Sequence, residues 1–106
     1  MAQYNFINQN QPSSSLLCLG FQQLTVSNVS IGFTVPANAI YAYFNLDAQP
    51  IRFRLDGGVP TAAIGVALIA LDTVFLSGSQ LLNGFRAIRQ GAVDGVLNIH
   101  YFGVNK

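Results

Sequence analysis

Few side chains in this 106-residue chain belong to the types that perform covalent or metal chemistry. His100 is the single histidine and Cys18 the single cysteine, so a zinc site of histidine and cysteine ligands cannot form within one chain. Ser77-Gly78-Ser79 is the nearest candidate nucleophile, but it lacks the G-x-S-x-G turn that exposes a catalytic serine. A histidine on the polar face of a strand is more often simply exposed, so the sequence predicts no catalytic triad.

The carboxylates are equally sparse. There is no glutamate, and the four aspartates are dispersed along the chain as Asp47, Asp56, Asp72 and Asp94. Glycoside hydrolysis needs two carboxylates that flank one bond, whereas each of these aspartates stands at a predicted strand end or turn, where aspartate commonly bonds the backbone. The glycines form neither a dinucleotide-binding fingerprint nor a P-loop. We therefore predict no enzyme, no metal and no cofactor; a small hydrolase that uses His100 is the alternative.

The arginines are better suited to recognition than to catalysis. Arg52 and Arg54 alternate along one predicted strand, and Arg86 and Arg89 lie near a second. They either solvate an outer sheet face and pair with aspartates, or bind carboxylates and main-chain carbonyls of a neighbouring subunit. A net charge of +1 provides no basic footprint for nucleic acid, so no nucleic-acid partner is expected.

Aromatic residues at alternate positions form a second group of candidates. Tyr41 and Tyr43 share one face of a predicted strand, where they form either a second core layer or an exposed aromatic patch. Tyr4 and Phe6 alternate with polar residues in residues 1–15, which contain no charged side chain. That segment is either a frayed terminus or an arm whose aromatic residues dock on a neighbouring subunit.

The elements that would position these residues are strands. From Leu16 onward the hydrophobic pattern has period two with closely spaced turn residues, which predicts an all-β sandwich or barrel. The apolar run 62–71, interrupted by Gly65, is interpreted as two short strands; the other predicted strands include residues 29–35, 40–46, 51–55, 74–76, 85–88 and 96–102. About eight short strands are enough for two packed sheets. We expect a single-domain antiparallel β-sandwich or jelly-roll-like fold over residues 16–106, with an extended amino-terminal arm over residues 1–15.

The alternation also assigns side chains to faces. In the last predicted strand, Leu97, Ile99 and Tyr101 fall on one face, and Asn98 and His100 fall on the other. Because successive side chains of a strand point to opposite sides, the first set is expected in the core and the second outside it.

Composition bounds the role of such a domain. Hydrophobic residues make up 51% of the chain and charged residues 8%, which argues against disorder and against a freely diffusing monomer. The longest apolar run, residues 62–71, is about half the ~20 residues that a membrane-spanning helix needs. No basic leader is present, so neither membrane insertion nor secretion is expected, and the single cysteine fits a reducing cytoplasm.

Three stretches carry a resemblance to a known group. IRFRLDGGVPT (residues 51–61) places an Arg-aromatic-Arg strand before an Asp-Gly-x-x-Pro-Thr turn, and Gly65, FRAI (85–88) and LNIHYF (97–102) follow. Together they resemble small β-sandwich structural proteins of tailed bacteriophages over about residues 51–102. Leu71-Asp72 departs from the small residue and glycine of that pattern, and residues 1–50 carry no matching motif.

The resemblance implies a non-enzymatic virion structural protein assembled in the host cytoplasm. The expected function is that of a capsid decoration or cement protein, whose partners are the major capsid protein or another virion protein and copies of itself, with a trimer favoured. Its candidate interface residues are Tyr4, Phe6, Tyr41, Tyr43, Arg52, Arg54, Arg86 and Arg89. The alternative is a host-recognition module of a tail or fibre, in which Tyr41, Tyr43 and Asn45 contact carbohydrate at a concave aromatic site.

Overall fold

A computed structural model describes residues 16–104, which form two antiparallel sheets around one hydrophobic core. The elements in chain order are β1 Leu16–Val26, β2 Ala39–Leu46, β3 Ile51–Arg54, β4 Val66–Leu68, β5 Thr73–Ser77, the six-residue helix α1 Ser79–Gly84, β6 Arg86–Arg89 and β7 Gly95–Val104. The four-stranded sheet has the order β1-β7-β2-β5, and the three-stranded sheet has the order β4-β3-β6. The predicted all-β sandwich is confirmed, and the predicted arm lies outside the described residues.

The core follows from the period-two alternation of the strands. Leu97, Ile99 and Tyr101 of β7 are buried, whereas Asn98 is half-buried and His100 is exposed on the opposite side, as the sequence predicts. Four phenylalanines lie at the centre, and the ring of Phe85 contacts the other three. Their ring centroids lie 3.9 Å from Phe85 for Phe33 and 5.4 Å for both Phe44 and Phe53. Aromatic pairs at these separations stabilise a core beyond the area they bury.

The predicted strand over residues 29–35 is wrong. Only Ile31 forms a bridge, with Ala87 of β6, and the rest of the segment crosses between the two sheets as a strap. Ile31 and Ala87 exchange two backbone hydrogen bonds, of 3.0 and 2.8 Å, and beyond this bridge the Thr34 amide donates to Gln22 Oε1 at 3.1 Å. The alternation still predicts which side chains share one face, because Ile31, Phe33 and Val35 all pack against the core. Val29, the first residue of that set, is exposed.

The two strands predicted in the apolar run are also wrong, since only β4 forms there. Gly65 has φ +131°, a conformation that favours glycine, so the chain turns before the strand begins. Leu71 has φ +71° and lies in the turn after β4, where the Asp72 carboxylate accepts a hydrogen bond from the Ile69 amide at 2.9 Å. Residues 16–104 consequently form seven strands instead of about eight, and α1 was not predicted. Within residues 16–104, no helix is long and apolar enough to cross a membrane.

Candidate interaction surfaces

The outer face of the three-stranded sheet carries three of the predicted interface arginines. Arg54 of β3 pairs directly with Arg86 of β6, and Arg52 pairs with Ile88 and with Ala67 of β4. We call this surface the arginine face. Two like charges opposite each other on neighbouring strands are unfavourable, so the position of each guanidinium depends on what else it contacts.

Arg52 holds the turn before β4. Its Nε donates to the carbonyl of Ala62 at 3.0 Å and its Nη1 to the carbonyl of Gly65 at 2.8 Å. The planar fork of arginine suits two acceptors on one loop. The turn also uses Thr61, whose hydroxyl accepts from the Ile64 amide at 2.9 Å. Arg52 therefore fixes the backbone that leads into the edge strand of this sheet.

Arg54 holds the turn that follows β3. It forms a two-bond ion pair with Asp56, with Nε–Oδ1 and Nη2–Oδ2 distances of 3.0 and 2.6 Å. The Asp56 carboxylate also accepts from the Gly58 amide at 3.0 Å. These bonds favour the charged carboxylate and lower the pKa of Asp56 to about 2, with the Arg54 hydrogen bond as the main cause. Asp56 in turn raises the pKa of Arg54.

The two arginines of β6 also have partners within the chain. Arg86 donates from Nε to the Ser30 hydroxyl at 3.0 Å and from Nη2 to the Ser30 carbonyl at 3.3 Å, which anchors the strap. Arg89 forms an ion pair with Asp94 at 2.7 Å, at the turn before β7. The pairing of Arg54 and Arg89 with aspartates is one of the two predicted interpretations of these arginines.

A set of exposed aliphatic side chains lies on β4 and in the turns on either side of it. We call it the apolar edge, and its members are Val59, Ile64, Val66, Ile69 and Leu71, with exposed fractions between 56% and 75%. β4 is the outer strand of its sheet and contains three residues. Large exposed aliphatic side chains on and beside an edge strand are typical of surfaces that another molecule covers.

An open groove of about 440 Å³ lies beside the apolar edge. Its apolar lining residues are Phe53, Leu55, Val66 and Leu81 of α1. Val66 and Leu81 are exposed, so the groove extends the apolar edge toward the helix. A partner that covers the edge can therefore also insert an apolar side chain here.

The outer face of the four-stranded sheet is aromatic. The register places Phe21, His100, Tyr43 and Phe75 in one row across all four strands, and Cys18, Phe102, Tyr41 and Ser77 in the next row. We call these two rows the aromatic face. The ring centroids are 5.0 Å apart for Phe21 and His100 and 5.4 Å apart for the stacked rings of Tyr41 and Phe75. Neither row contains an aspartate, glutamate, lysine or arginine.

A row of amides borders the aromatic face. Gln23 donates to Asn98 Oδ1 at 3.0 Å, and Asn98 donates to Asn45 Oδ1 at 3.3 Å and to Asp47 Oδ1 at 2.9 Å. The side chains of this row are therefore hydrogen-bonded to one another. They form a polar margin on the side of the Phe21–Phe75 row.

The residues singled out for chemistry are not gathered into a site. His100 and Cys18 both belong to the aromatic face, whereas Asp56 lies in the turn after β3 and Asp94 in the turn between β6 and β7. Over residues 16–104 no group of three or more histidine, cysteine or acidic side chains could hold a metal ion. Burial raises the pKa of Tyr101, whose hydroxyl donates to Gln22 Oε1 at 2.5 Å and serves the fold.

The predicted interface residues are thus divided between two surfaces. Tyr41 and Tyr43 lie half-buried on the aromatic face, and Arg52, Arg54 and Arg86 lie on the arginine face. Arg89 ends β6 opposite the buried Ile51 and therefore lies on the other side of the strand from Arg86, and Tyr4 and Phe6 lie outside the described residues. The sequence did not identify the apolar edge, although the apolar run 62–71 was its signal, nor Phe21 and Phe75, which only the register places beside Tyr43.

Comparisons of the chain with protein-family models, with curated proteins and with solved structures find no match. The relationship to phage structural proteins consequently stays a prediction from the motifs in residues 51–102.

Proposed function

We propose that this protein is a non-enzymatic structural protein of a tailed-phage virion. In this role it is a capsid decoration protein that oligomerises, with a trimer favoured, and stabilises contacts between capsid subunits. The motif resemblance indicates the virion, and the surface chemistry indicates permanent assembly, because obligate interfaces resemble a protein core cut in half.

One observation carries the proposal, namely the apolar edge. Val59, Ile64, Val66, Ile69 and Leu71 all expose more than half of their surface, in a chain with only 8% charged residues. Arg52 and Thr61 fix the turn that presents Ile64 and Val66. A surface held in place in this way loses little conformational freedom on binding. In the proposed mechanism the apolar edge packs on the major capsid protein, and no covalent bond is made or broken.

The location on the particle is the first test. Antibodies raised against the purified chain are applied to virions of the genome that encodes it, and the bound label is located by immunogold electron microscopy. Label distributed over the head is the expected result. Label confined to the tail or fibre overturns the decoration role and favours the recognition alternative, and unlabelled virions overturn both.

The second test asks whether the apolar edge carries binding. Particles from a genome lacking the gene are mixed with purified protein, and the bound fraction is measured after sedimentation. The triple variant Ile64→Ser, Ile69→Ser and Leu71→Asn should bind at least about tenfold more weakly, because it removes three apolar side chains from the proposed contact. A tenfold loss of affinity corresponds to about 1.4 kcal/mol. Asn tolerates the positive φ of Leu71.

The matched control is Val29→Ser, which removes an equally exposed aliphatic side chain from the segment between β1 and β2. Its binding should equal that of the unaltered chain. Equal binding by the triple variant would overturn the role of the apolar edge, provided that circular dichroism shows both variants folded.

One observation favours a second candidate function, a carbohydrate-binding module of a tail or fibre. Tyr43 and Asn45 follow each other on the outer side of β2, so an aromatic row adjoins an amide row. Protein sites often combine aromatic faces with a few polar groups. None of the grooves of about 290 and 440 Å³ found in residues 16–104 is lined by Tyr41 or Tyr43. Binding on a glycan array that Asn45→Ala abolishes would support this candidate, and no binding by the unaltered chain would overturn it.

A further inference from the structure

We infer that β1 pairs, along the side that faces away from β7, with β1 of a second copy of this chain. We call this side, over residues 20–26, the β1 edge. The pairing joins the four-stranded sheets of two copies into one continuous antiparallel sheet. The inference goes beyond the proposed function, because it concerns a surface other than the apolar edge and requires neither a capsid nor a virion.

The ladders show which backbone groups of β1 face outward. The Asp47 amide donates to the Val96 carbonyl, one step beyond the last pair of β2 and β7. Because the hydrogen-bonded pairs of an antiparallel ladder alternate, the even-numbered residues of β7 bond to β2 and the odd-numbered ones bond to β1. The register gives those odd-numbered residues even-numbered partners in β1. The N–H and C=O groups of Phe21, Gln23 and Thr25 therefore point away from β7.

These outward groups have no hydrogen-bond partner among residues 16–104. The backbone hydrogen bonds of the turns and loops in that part of the chain do not involve residues 20–26. The strap reaches β1 through a side chain instead, because the Thr34 amide donates to Gln22 Oε1. An open groove of about 290 Å³ lies there, lined by Gly20, Phe21 and Pro36 among others. The β1 edge is therefore open to an added strand.

The β1 edge also lacks the features that usually protect an edge strand, namely charge, proline and shortness. β1 has 11 residues without a charged residue or a proline, and its irregularity, between Cys18 and Gly20, lies at the end of residues 20–26. β4, by contrast, has three residues, and the Asp72 carboxylate binds the Ile69 amide next to it. A long, uncharged edge is a template for pairing with another chain.

The spacing along the β1 edge favours β1 itself as the occupant. The regular register covers residues 20–26, whose midpoint is Gln23. A two-fold axis at Gln23 places Phe21 opposite Thr25 of the second copy, and Thr25 opposite its Phe21. The outward groups of both copies then meet as hydrogen-bonded pairs, each of which exchanges two bonds. The edge is therefore self-complementary, as a two-fold interface requires.

The side chains on the outer face fit the same register. Phe21 is 58% exposed and comes to lie beside Thr25 of the second copy, and pairs of an aromatic and a β-branched residue stabilise neighbouring strands. Gln23 uses one Nε2 hydrogen for Asn98, so the other hydrogen and Oε1 are left to bond the second Gln23. Because β1 contains no charged residue, the pairing opposes no like charges.

The symmetry of this contact limits the assemblies that it forms. A two-fold contact uses the same surface on both copies and closes as a dimer. The favoured trimer then needs a separate contact, and the two contacts together give a hexamer. We therefore expect the assembled protein to contain an even number of chains.

The first test uses the unaltered full chain. Amide hydrogen exchange is followed by NMR at a concentration where light scattering shows the assembled protein, and again after dilution to the monomer. The amides of Phe21, Gln23 and Thr25 should exchange at least about tenfold faster after dilution, because their partners are lost. The amides of Gln22 and Leu24, which bond to β7, should stay protected in both samples.

The second test places charges on the two-fold axis. Gln23→Lys and Gln23→Glu should each weaken association at least about tenfold in light scattering, because like charges then lie opposite each other on neighbouring strands. An equimolar mixture of the two variants should restore association, because opposite charges then meet. The matched control Gln80→Lys adds the same charge at an exposed position of α1 and should leave association unchanged.

Several results would contradict the inference. These are an unaltered chain that stays monomeric or assembles only as a trimer, and a mixture that associates no better than either variant although circular dichroism shows both folded. Protection of the Phe21, Gln23 and Thr25 amides in the monomer would place the occupant within the same chain. Protection only after capsid particles are added would identify a capsid strand as the occupant. Either result would overturn the second copy.

The apolar-edge variant separates this inference from the proposed function. Ile64→Ser, Ile69→Ser and Leu71→Asn together should leave pairing at the β1 edge unchanged, because none of these residues belongs to β1. Dimers that do not bind capsids would overturn the decoration role and leave the inference intact. Monomers that bind capsids would overturn the inference and leave binding through the apolar edge intact.

Discussion

The outer faces of the two sheets differ in the groups that their side chains contact. On the three-stranded sheet, Arg52, Arg54 and Arg86 all donate hydrogen bonds to groups of their own chain. On the four-stranded sheet, rings such as those of Phe21 and His100 pack side by side, 5.0 Å apart, and the amides bond to one another. One face fixes the turns around it, whereas the other consists of an ordered apolar surface.

This difference changes the expected role of the arginines. These guanidinium groups bind groups of their own chain, namely those of Ala62, Gly65, Asp56 and Ser30, and so stabilise the loops that shape the surface. Their loss should act first on the shape of the apolar edge and the strap.

On the aromatic face the Phe21 ring packs against that of His100, and Tyr41 stacks on Phe75. Loss of the exposed Phe21 ring should therefore act mainly on association. The two faces can therefore be separated by experiment.

Phe85→Ala should have the largest effect, because it removes the ring on which both sheets pack. Phe85 is fully buried and contacts Phe33, Phe44 and Phe53, and such truncations cost about 3–5 kcal/mol. Urea unfolding should show this loss of stability. Both outer faces should be weakened together, because both sheets pack on this ring. A cost below about 1 kcal/mol would show that the sheets do not depend on this contact.

Arg52→Met should disrupt the apolar edge alone. The aliphatic stem is kept while two carbonyls lose their donor, which should cost about 1–3 kcal/mol in urea unfolding. Amide hydrogen exchange should accelerate in residues 61–66 and stay unchanged in β1 and β7. Arg89→Met is the matched control, since it breaks a partly exposed ion pair and should cost about 0–1 kcal/mol; equal effects of the two substitutions would contradict the role given to Arg52.

Phe21→Ser should disturb the aromatic face alone. Phe21 is 58% exposed and contacts the His100 ring, so folding stability should change by less than about 1 kcal/mol. Association should weaken, as measured by light scattering over a range of protein concentrations. A large loss of stability with unchanged association would reverse the comparison between the faces.

Asp56→Asn should give the smallest effect, a slight loss of stability above pH 3.8 that disappears as the pH falls toward 2. The pKa of Asp56 is lowered from 3.8 to about 2, so its charged form stabilises the folded chain above pH 3.8, and that stabilisation is lost as the pH falls toward 2. Both groups of the ion pair are solvent-exposed, which keeps the effect small. Between pH 5 and pH 2, the midpoint temperature of thermal unfolding should fall slightly less steeply for the variant than for the unaltered chain. Identical pH profiles would contradict this contribution.

The sequence predicted the strands whose alternation is regular, and it failed where tertiary contacts decide the backbone. β2, β3 and β7 were predictable because their inward residues, such as Phe44, Phe53 and Ile99, recur at period two. The strap has the same alternation, but Gln22 and Arg86 bind its backbone from distant positions. The exposure of the apolar edge could not be predicted, because alternation does not show which strand ends a sheet.

The pairing of β1 with β7 has a consequence for the order of folding. β7 lies between β1 and β2 in the four-stranded sheet, although β1 is the first described strand and β7 the last. During synthesis β1 and β2 therefore emerge long before the strand that joins them. Contacts of such large sequence separation slow folding, because a long loop must close before the pairing stabilises it. Until β7 leaves the ribosome, both early strands lack the strand that pairs with them, and unpaired strands with exposed apolar surface are prone to aggregation.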